Sequence, residues 1–304
     1  MMPAGPPPMM QQDVFAIASF TPGMLRMKVA GRFWKVNPIC SLLKDLLSLR
    51  DAHLNGKRNK LEGMESMTPK LIVFDLDGTL IDSRQDLCNS VNAMLTHLGK
   101  TVLPEEVIAS YIGDGASMLV RRSLGDPEGD AHDEEYVAEA VHYFLEYYRL
   151  HKLDFTYVYP GVMESLAKIR AALPMTLMAV LTNKPVNPSR VICDHFGLSD
   201  YFFQNYGGNS FHTKKPDPHG MMTLIAEASA LAGSPIGPSE TMMIGDTDID
   251  VLTARAAGAV SIGCGFGLAP ERLAAAKPDF MVDSPADWTR MMGIPHTNTV
   301  KSCK

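Results

Sequence analysis

Leu71-Ile72-Val73-Phe74-Asp75-Leu76-Asp77-Gly78-Thr79-Leu80 is the stretch that decides how this chain is read. An apolar run ends in two carboxylates separated by one residue, and a glycine follows. Side chains on a strand repeat every second residue, so Asp75 and Asp77 fall on one side, and Gly78 lets the chain turn sharply away. Two acids so placed can divide the work of an ester cleavage. A carboxylate attacks without needing a base, while its neighbour protonates a leaving oxygen and later activates water.

Reading outward, further short apolar runs occur at 175–181, 241–244, 260–262 and 280–282. Helical periodicity lies between them, near 162–171, 188–196, 220–230 and 249–257, the last closed by Gly258. This alternation predicts an α/β fold with a parallel sheet covered by helices on both faces. The interval after the first run breaks the pattern and carries only helical signals. Leu87, Val91, Met94, Leu95 and Leu98 form one stripe, and Val137, Val141, Phe144, Leu145 and Tyr148 form another. Pro104 opens a helix expected to reach Ile112 and stop at Gly113, and 125–133 reads as a solvated loop. The expected organisation is an extension at 1–69, a core at 70–82 and 159–290, a helical cap at 83–158 and a flexible tail at 291–304. The extension, Pro- and Met-rich at its start, holds no site residue and reads as disordered, loosely docked, or the product of an early start codon.

Three runs end in chemically capable residues: Asp75 with Asp77, Thr182 with Asn183, and Gly245 with Asp246. In an open parallel sheet such ends converge where ligands bind. Mg²⁺ favours carboxylate oxygens together with a substrate phosphate, so Asp75 and Asp246 are candidate ligands and Asp250 a candidate for orienting metal-bound water. Thr182 and Asn183 offer donors to phosphate oxygens. Lys215, in the stiff Lys-Pro-Asp-Pro turn, is the expected cation, while Lys184 and Lys214 read as solvated surface charges.

A chain of 304 residues, 46% hydrophobic, can bury a full core, and its net charge of -6 offers no broad basic footprint for nucleic acid. No apolar run approaches the roughly 18 residues of a membrane span, and the start lacks the pattern of a secretory signal. Cys40, Cys88, Cys193, Cys264 and Cys303 form no C-x-x-C pair and read as free thiols. The expected setting is the cytoplasm, with a small anionic phosphate ester as partner and a monomer or homodimer as the assembly.

Asp75-Leu76-Asp77-Gly78-Thr79-Leu80, Leu181-Thr182-Asn183, Lys215-Pro216 and Gly245-Asp246-Thr247-Asp248-Ile249-Asp250 together resemble the four motifs of the haloacid dehalogenase superfamily of phosphohydrolases, in the family's order. The resemblance implies a Rossmann-like, doubly wound core with an inserted helical cap. It implies Asp75 as nucleophile, Asp77 as acid and base, and Thr182 and Lys215 on the phosphate. Magnesium would be held by Asp75, the Asp77 backbone carbonyl and Asp246, with Asp250 as the second acid of the fourth motif. Within the family the chain is most similar to phosphoglycolate phosphatases, through the Gly113-Asp114-Gly115-Ala116 loop, the helix after it, and the run from Asp250 into Ser261-Ile262-Gly263. On this reading 2-phosphoglycolate is the substrate, bound by Gly113, Asp114, Gly115 and Arg121 or Arg122, and a bulky residue at Gly115 is expected to harm that substrate selectively. The alternatives are a pyrophosphatase, a sugar-phosphate phosphatase or a phosphosugar mutase of the same superfamily. A phospho-accepting signalling receiver module is disfavoured because Asp75 follows the first strand.

Overall fold

The computed structural model describes residues 26–29, 32–35, 68–126, 128–129 and 131–295, in a chain of two compact units, Met1–Glu65 and Ser66–Lys304. In the first unit the described residues are two antiparallel strands, β1 (Arg26–Val29) and β2 (Arg32–Lys35), with Arg26 opposite Lys35. The expectation for 1–69 otherwise lies outside the described residues except at Thr68 and Pro69, where Pro69 is buried and its carbonyl accepts from Thr176 Oγ1 at 2.6 Å, and the tail from residue 296 lies outside them too. Met291, Met292 and Ile294 are buried, so packing continues past residue 290.

The second unit contains β3 (Leu71–Phe74), β4 (Ile81–Asp82), β5 (Tyr157–Val158), β6 (Leu177–Leu181), β7 (Gln204–Tyr206), β8 (Thr241–Gly245), β9 (Val260–Cys264) and β10 (Phe280–Val282). Six of them form a parallel sheet in the order β10-β9-β8-β3-β6-β7. From β3 the chain builds outward to β7, then returns to the other side of β3 with β8. The reversal beside β3 is where an open sheet forms a ligand crevice.

Both faces of this sheet are covered, which is why β3 is apolar throughout. Leu71 and Val73 join Ala179, Leu181 and Met243 under helices His219–Ala232 and Asp248–Ala257. On the other face Phe74 meets Trp288 edge-on at 5.3 Å between ring centroids. Helix Val162–Ala172 is tied to that side by Ser165 Oγ, which donates to Pro285 O at 2.9 Å.

The inserted cap comprises helices Arg84–His97, Glu105–Ala109, Ala116–Leu124 and Glu134–His151. Its core holds most of the expected stripe residues, including Leu87, Val91, Met94, Leu95, Val137, Phe144 and Tyr148. The helix expected from Pro104 to Ile112 is shorter: Pro104 is its N-cap, and after Ala109 the chain leaves the helix for turns. The expected solvated loop also contains a buried residue, Asp126, which accepts from Arg121 and from Ala131 N.

The cap leaves and re-enters the core through paired chains, with Ile81 opposite Val158 and Asp82 opposite Tyr157. Buried Asp86 reinforces the crossing by accepting from Phe155 N (3.0 Å), Thr156 N (2.8 Å) and Thr156 Oγ1 (2.7 Å).

Candidate active site

The C-terminal ends of β3, β6 and β8 place Asp75, Thr182 and Asp246 together beside the reversal in strand order. Asp75 is fixed through its backbone, whose amide donates to Ile244 O at 2.8 Å. Lys215 Nζ lies 2.9 Å from Asp75 Oδ1 and 2.6 Å from Asp250 Oδ1, and all three side chains are buried. Asp250 has a second duty near the start of helix Asp248–Ala257, where its Oδ2 accepts from Thr247 N and Thr247 Oγ1. Asp246 accepts from Leu268 N at 2.7 Å and from Thr79 Oγ1 at 3.4 Å. Gly78 is required here twice over. Its φ of 85° suits glycine, and a β-carbon would overlap the Asp246 carboxylate.

Electrostatics shows what this cluster can hold. Asp75, Asp246 and Asp250 each offer an oxygen, all mutually within 4.8 Å, and a single ammonium stands among them. Like charges about 4 Å apart repel by about 4 kcal/mol even at an effective dielectric near 20. Burial pushes the Asp75 carboxyl up to about 6, with Asp250 and Asp77 adding to the rise and Lys215 opposing it. Burial also carries Asp246 well above its ordinary range, helped by Asp75 and Asp250. Burial disfavours the Lys215 charge, yet Asp250 and Asp75 lift its pKa above the ordinary value. Three converging carboxylates, with no cysteine or histidine in the group among the described residues, make a donor set that fits a hard divalent cation such as Mg²⁺.

Asp77 is held separately. Ser83 Oγ donates to it at 2.5 Å, and Lys184 Nζ reaches both of its oxygens at 2.9 and 3.0 Å. Its carboxylate is not in the triad of Asp75, Asp246 and Asp250. Lys184 therefore corrects the sequence expectation: it is a buried partner of Asp77, 4.6 Å from the Tyr148 ring centroid, and not a solvated charge. Periodicity assigned Tyr148 to the cap core and gave no sign that the ring also faces this lysine. The available signal for Lys184 was its position directly after Thr182-Asn183.

One cavity connects Asp75, Asp77, Thr182, Asn183 and Lys184 with Gly113 and Gly115 of the cap. Asn183 uses its amide group to join the halves, donating to Gly113 O and Lys215 O, both at 3.0 Å. Exposed Lys214 makes a related link, donating to Asp114 O at 2.6 Å. The expected substrate roles of Asp114 and Arg121 are not supported by their contacts. Arg121 is spent on Asp126 and Glu134. The Asp114 carboxylate pairs with Arg122 at 2.5 Å and Arg272 at 3.3 Å, and neither Asp114 nor Arg121 lines the cavity. Charges that looked available in the sequence are consumed in fastening the cap.

Gly115 also acquires a different reading. Its φ is 87°, and a β-carbon would lie 2.9 Å from Asn183 O. Gly115→Val should therefore strain the loop by about 1–3 kcal/mol and unseat it from the core. The expected result is a parallel fall in kcat/KM on 2-phosphoglycolate and on an aryl phosphate. A loss confined to the carboxylate ester would instead restore a direct substrate role for this position.

Comparison with known proteins follows the same stretch of chain. A family model for haloacid dehalogenase-like hydrolases matches residues 72–264. A phosphoglycolate phosphatase of Chromobacterium violaceum is 38% identical over 224 residues, which cover 73% of this chain and 96% of that protein. One from Vibrio parahaemolyticus is 33% identical over 228 residues, covering 74% and 96% respectively. A crystal structure described as a predicted phosphoglycolate phosphatase from Haemophilus somnus superposes with a TM-score of 0.66 at 29% identity, covering 74% of this chain and 98% of that one. With the family match running from β3 through β9, the chain belongs to the haloacid dehalogenase-like hydrolases and is an enzyme of the phosphatase kind, similar to phosphoglycolate phosphatases.

Proposed function

We propose that this enzyme hydrolyses 2-phosphoglycolate through a phospho-aspartate on Asp75, with Mg²⁺ as cofactor, in a cleft between a core of 70–82 and 159–290 and a cap of 83–158. The observation that carries the chemistry is the group at the strand ends: a buried acid paired with a buried ammonium, opening into the same cavity as a second acid. The substrate assignment draws on the relatives named above.

In the first half-reaction an Asp75 oxygen forms a bond to phosphorus as the phosphorus–ester oxygen bond breaks. Asp77, as the general acid, delivers a proton to the leaving oxygen. In the second, Asp77 takes a proton from water as that water attacks phosphorus, releasing inorganic phosphate and restoring the Asp75 carboxylate. Thr182 and Lys215 hold phosphoryl oxygens, and Asn183 keeps the cap loop over the site. A divalent cation held by Asp75, Asp246 and Asp250, with the Asp77 carbonyl as a further candidate ligand, would supply positive charge between the carboxylates and the phosphoryl group. Among the described residues no helix is long and apolar enough to cross a membrane.

The test is a panel of phosphate esters assayed with Mg²⁺. 2-Phosphoglycolate should give the highest kcat/KM, and preference for pyrophosphate or a hexose phosphate would overturn the substrate assignment. Asp77→Asn should slow cleavage of an alkyl phosphate by about 10²-fold or more, because the leaving alkoxide needs a proton. An aryl phosphate, with its better leaving group, should suffer less in its first half-reaction. Wild-type turnover of the alkyl ester by this variant would remove Asp77 from its role.

A further inference from the structure

A buried tyrosine hydroxyl whose proton meets no acceptor calls for an explanation, and in this cavity it stands beside a cation. Tyr148 is only 3% exposed, and its Oη faces the Lys184 ammonium, which can only donate to it, so the hydroxyl's own proton has no acceptor among the described residues. Burial holds its phenol up at about 12, so the hydroxyl keeps its proton and is available as a donor. The Lys184 ammonium lies 4.6 Å from the ring centroid. Lys184 gives hydrogen bonds to the two Asp77 oxygens and faces Tyr148 Oη with its remaining proton, so the pair presents one cation and one free hydroxyl proton. Both side chains line the cavity that contains Asp75 and Asp77.

We propose that Tyr148 Oη and Lys184 Nζ together receive the carboxylate of the substrate. The inference rests on the 2-phosphoglycolate reading above and gives that reading a recognition site different from the Gly113–Ala116 loop and Arg121. Its main support is chain length. Asp77 serves the ester oxygen, and in 2-phosphoglycolate one methylene separates that oxygen from the carboxylate carbon. The carboxylate must then lie within a side chain's reach of Asp77, which is where Lys184 and Tyr148 stand. The cavity's remaining wall includes Leu87, Ile112, Leu119 and Phe144, which offer no partners to the hydroxyls of a sugar. A site built to hydrogen-bond one group discriminates strongly against an analogue that lacks it.

The arrangement also divides recognition between the two halves. Lys184 follows β6 of the core, whereas Tyr148 belongs to helix Glu134–His151 of the cap. A bound carboxylate thus bridges them directly over the acid that handles the leaving oxygen. A longer ester would place its anionic end beyond this pair.

The test compares 2-phosphoglycolate with 2-hydroxyethyl phosphate, which has the same chain length and a neutral terminus. Tyr148→Phe removes one oxygen and retains the ring that stacks on Phe144. It should lower kcat/KM for 2-phosphoglycolate on the order of 10- to 100-fold, chiefly through KM. The fall on 2-hydroxyethyl phosphate should be smaller by about 10-fold or more. Lys184→Gln gives a second reading: both esters should slow because Asp77 loses its partner, but the ratio between them should fall by about 10-fold or more. Equal losses on both esters in both variants, or no loss with Tyr148→Phe, would overturn the inference and leave these residues as supports for Asp77 and the cap. The wild-type enzyme separates this outcome from failure of the underlying reading: absence of any preference for 2-phosphoglycolate over 2-hydroxyethyl phosphate would sink the substrate assignment itself.

Discussion

Asp75→Asn is expected to lower kcat by at least about 10⁴-fold, because no other group at the strand ends can take over the bond to phosphorus. Asp250 is committed to Lys215 and to Thr247, and Asp77 to Lys184 and Ser83. The fold should survive the substitution. Lys215 keeps Asp250 at 2.6 Å, so the change does not strand a buried ammonium, and burial already disfavours the Asp75 charge. Tm should therefore stay within about 4 °C of the wild type, the shift produced by roughly 1 kcal/mol. Acid quenching of the wild-type enzyme during turnover should trap phosphate on Asp75, located by peptide mass. Label on another residue, or a variant that retains turnover, would remove the covalent mechanism.

The second large effect is expected at Asp246, read through metal binding as well as activity. Mg²⁺ at a hundredfold above its Kd should stabilise the wild-type enzyme by about 2.7 kcal/mol through mass action. Asp246→Asn should erase most of that gain and lower kcat by about 10³-fold or more, since several kcal/mol of charge stabilisation depend on the cation. Without metal the variant should melt no lower than the wild type. It loses a carboxylate whose charge is opposed by burial, Asp75 and Asp250, while an amide oxygen can still accept from Leu268 N. An unchanged Mg²⁺ response in Asp246→Asn would place the metal elsewhere. Chelation should reproduce the loss of activity in the wild type, and adding Mg²⁺ should reverse it.

The chain advertises the sheet because β3, β6, β8 and β9 are buried, and burial writes apolar runs into sequence. Its edge is quieter. Gln204-Asn205-Tyr206, paired only with β6, carries no apolar run and leaves no such mark, although Thr182 N depends on Tyr206 O. Asp75, Thr182 and Asp246 could be placed together from the sequence because topology brings known strand ends to one place, and Lys215 was singled out by the stiff Lys-Pro-Asp-Pro turn before helix His219–Ala232. Lys184 could not be classified that way. A lysine's burial depends on Asp77 and Tyr148, which lie far from it in sequence, so its surroundings are a property of the folded molecule. Arg121 failed for the converse reason: spacing put it near the loop, but Asp126 and Glu134 had the stronger claim on it.

The paired crossing of β4 and β5 has a topological meaning for the sheet. Because Ile81 faces Val158 and Asp82 faces Tyr157, the core receives the entire cap as though it were the tip of one β-hairpin. Closing a loop grows costlier only with the logarithm of its length, so the residues beyond that crossing can be extended, shortened or exchanged with little penalty to the strands below. Asp86, which clasps Phe155 and Thr156, sits just outside the crossing and seals it. The strands that carry Asp75 and Asp246 thus keep their pairing whatever the length of the hairpin's tip. What the tip must preserve is its seat on the core, where Asn183 donates to Gly113 O and the Tyr148 ring faces Lys184.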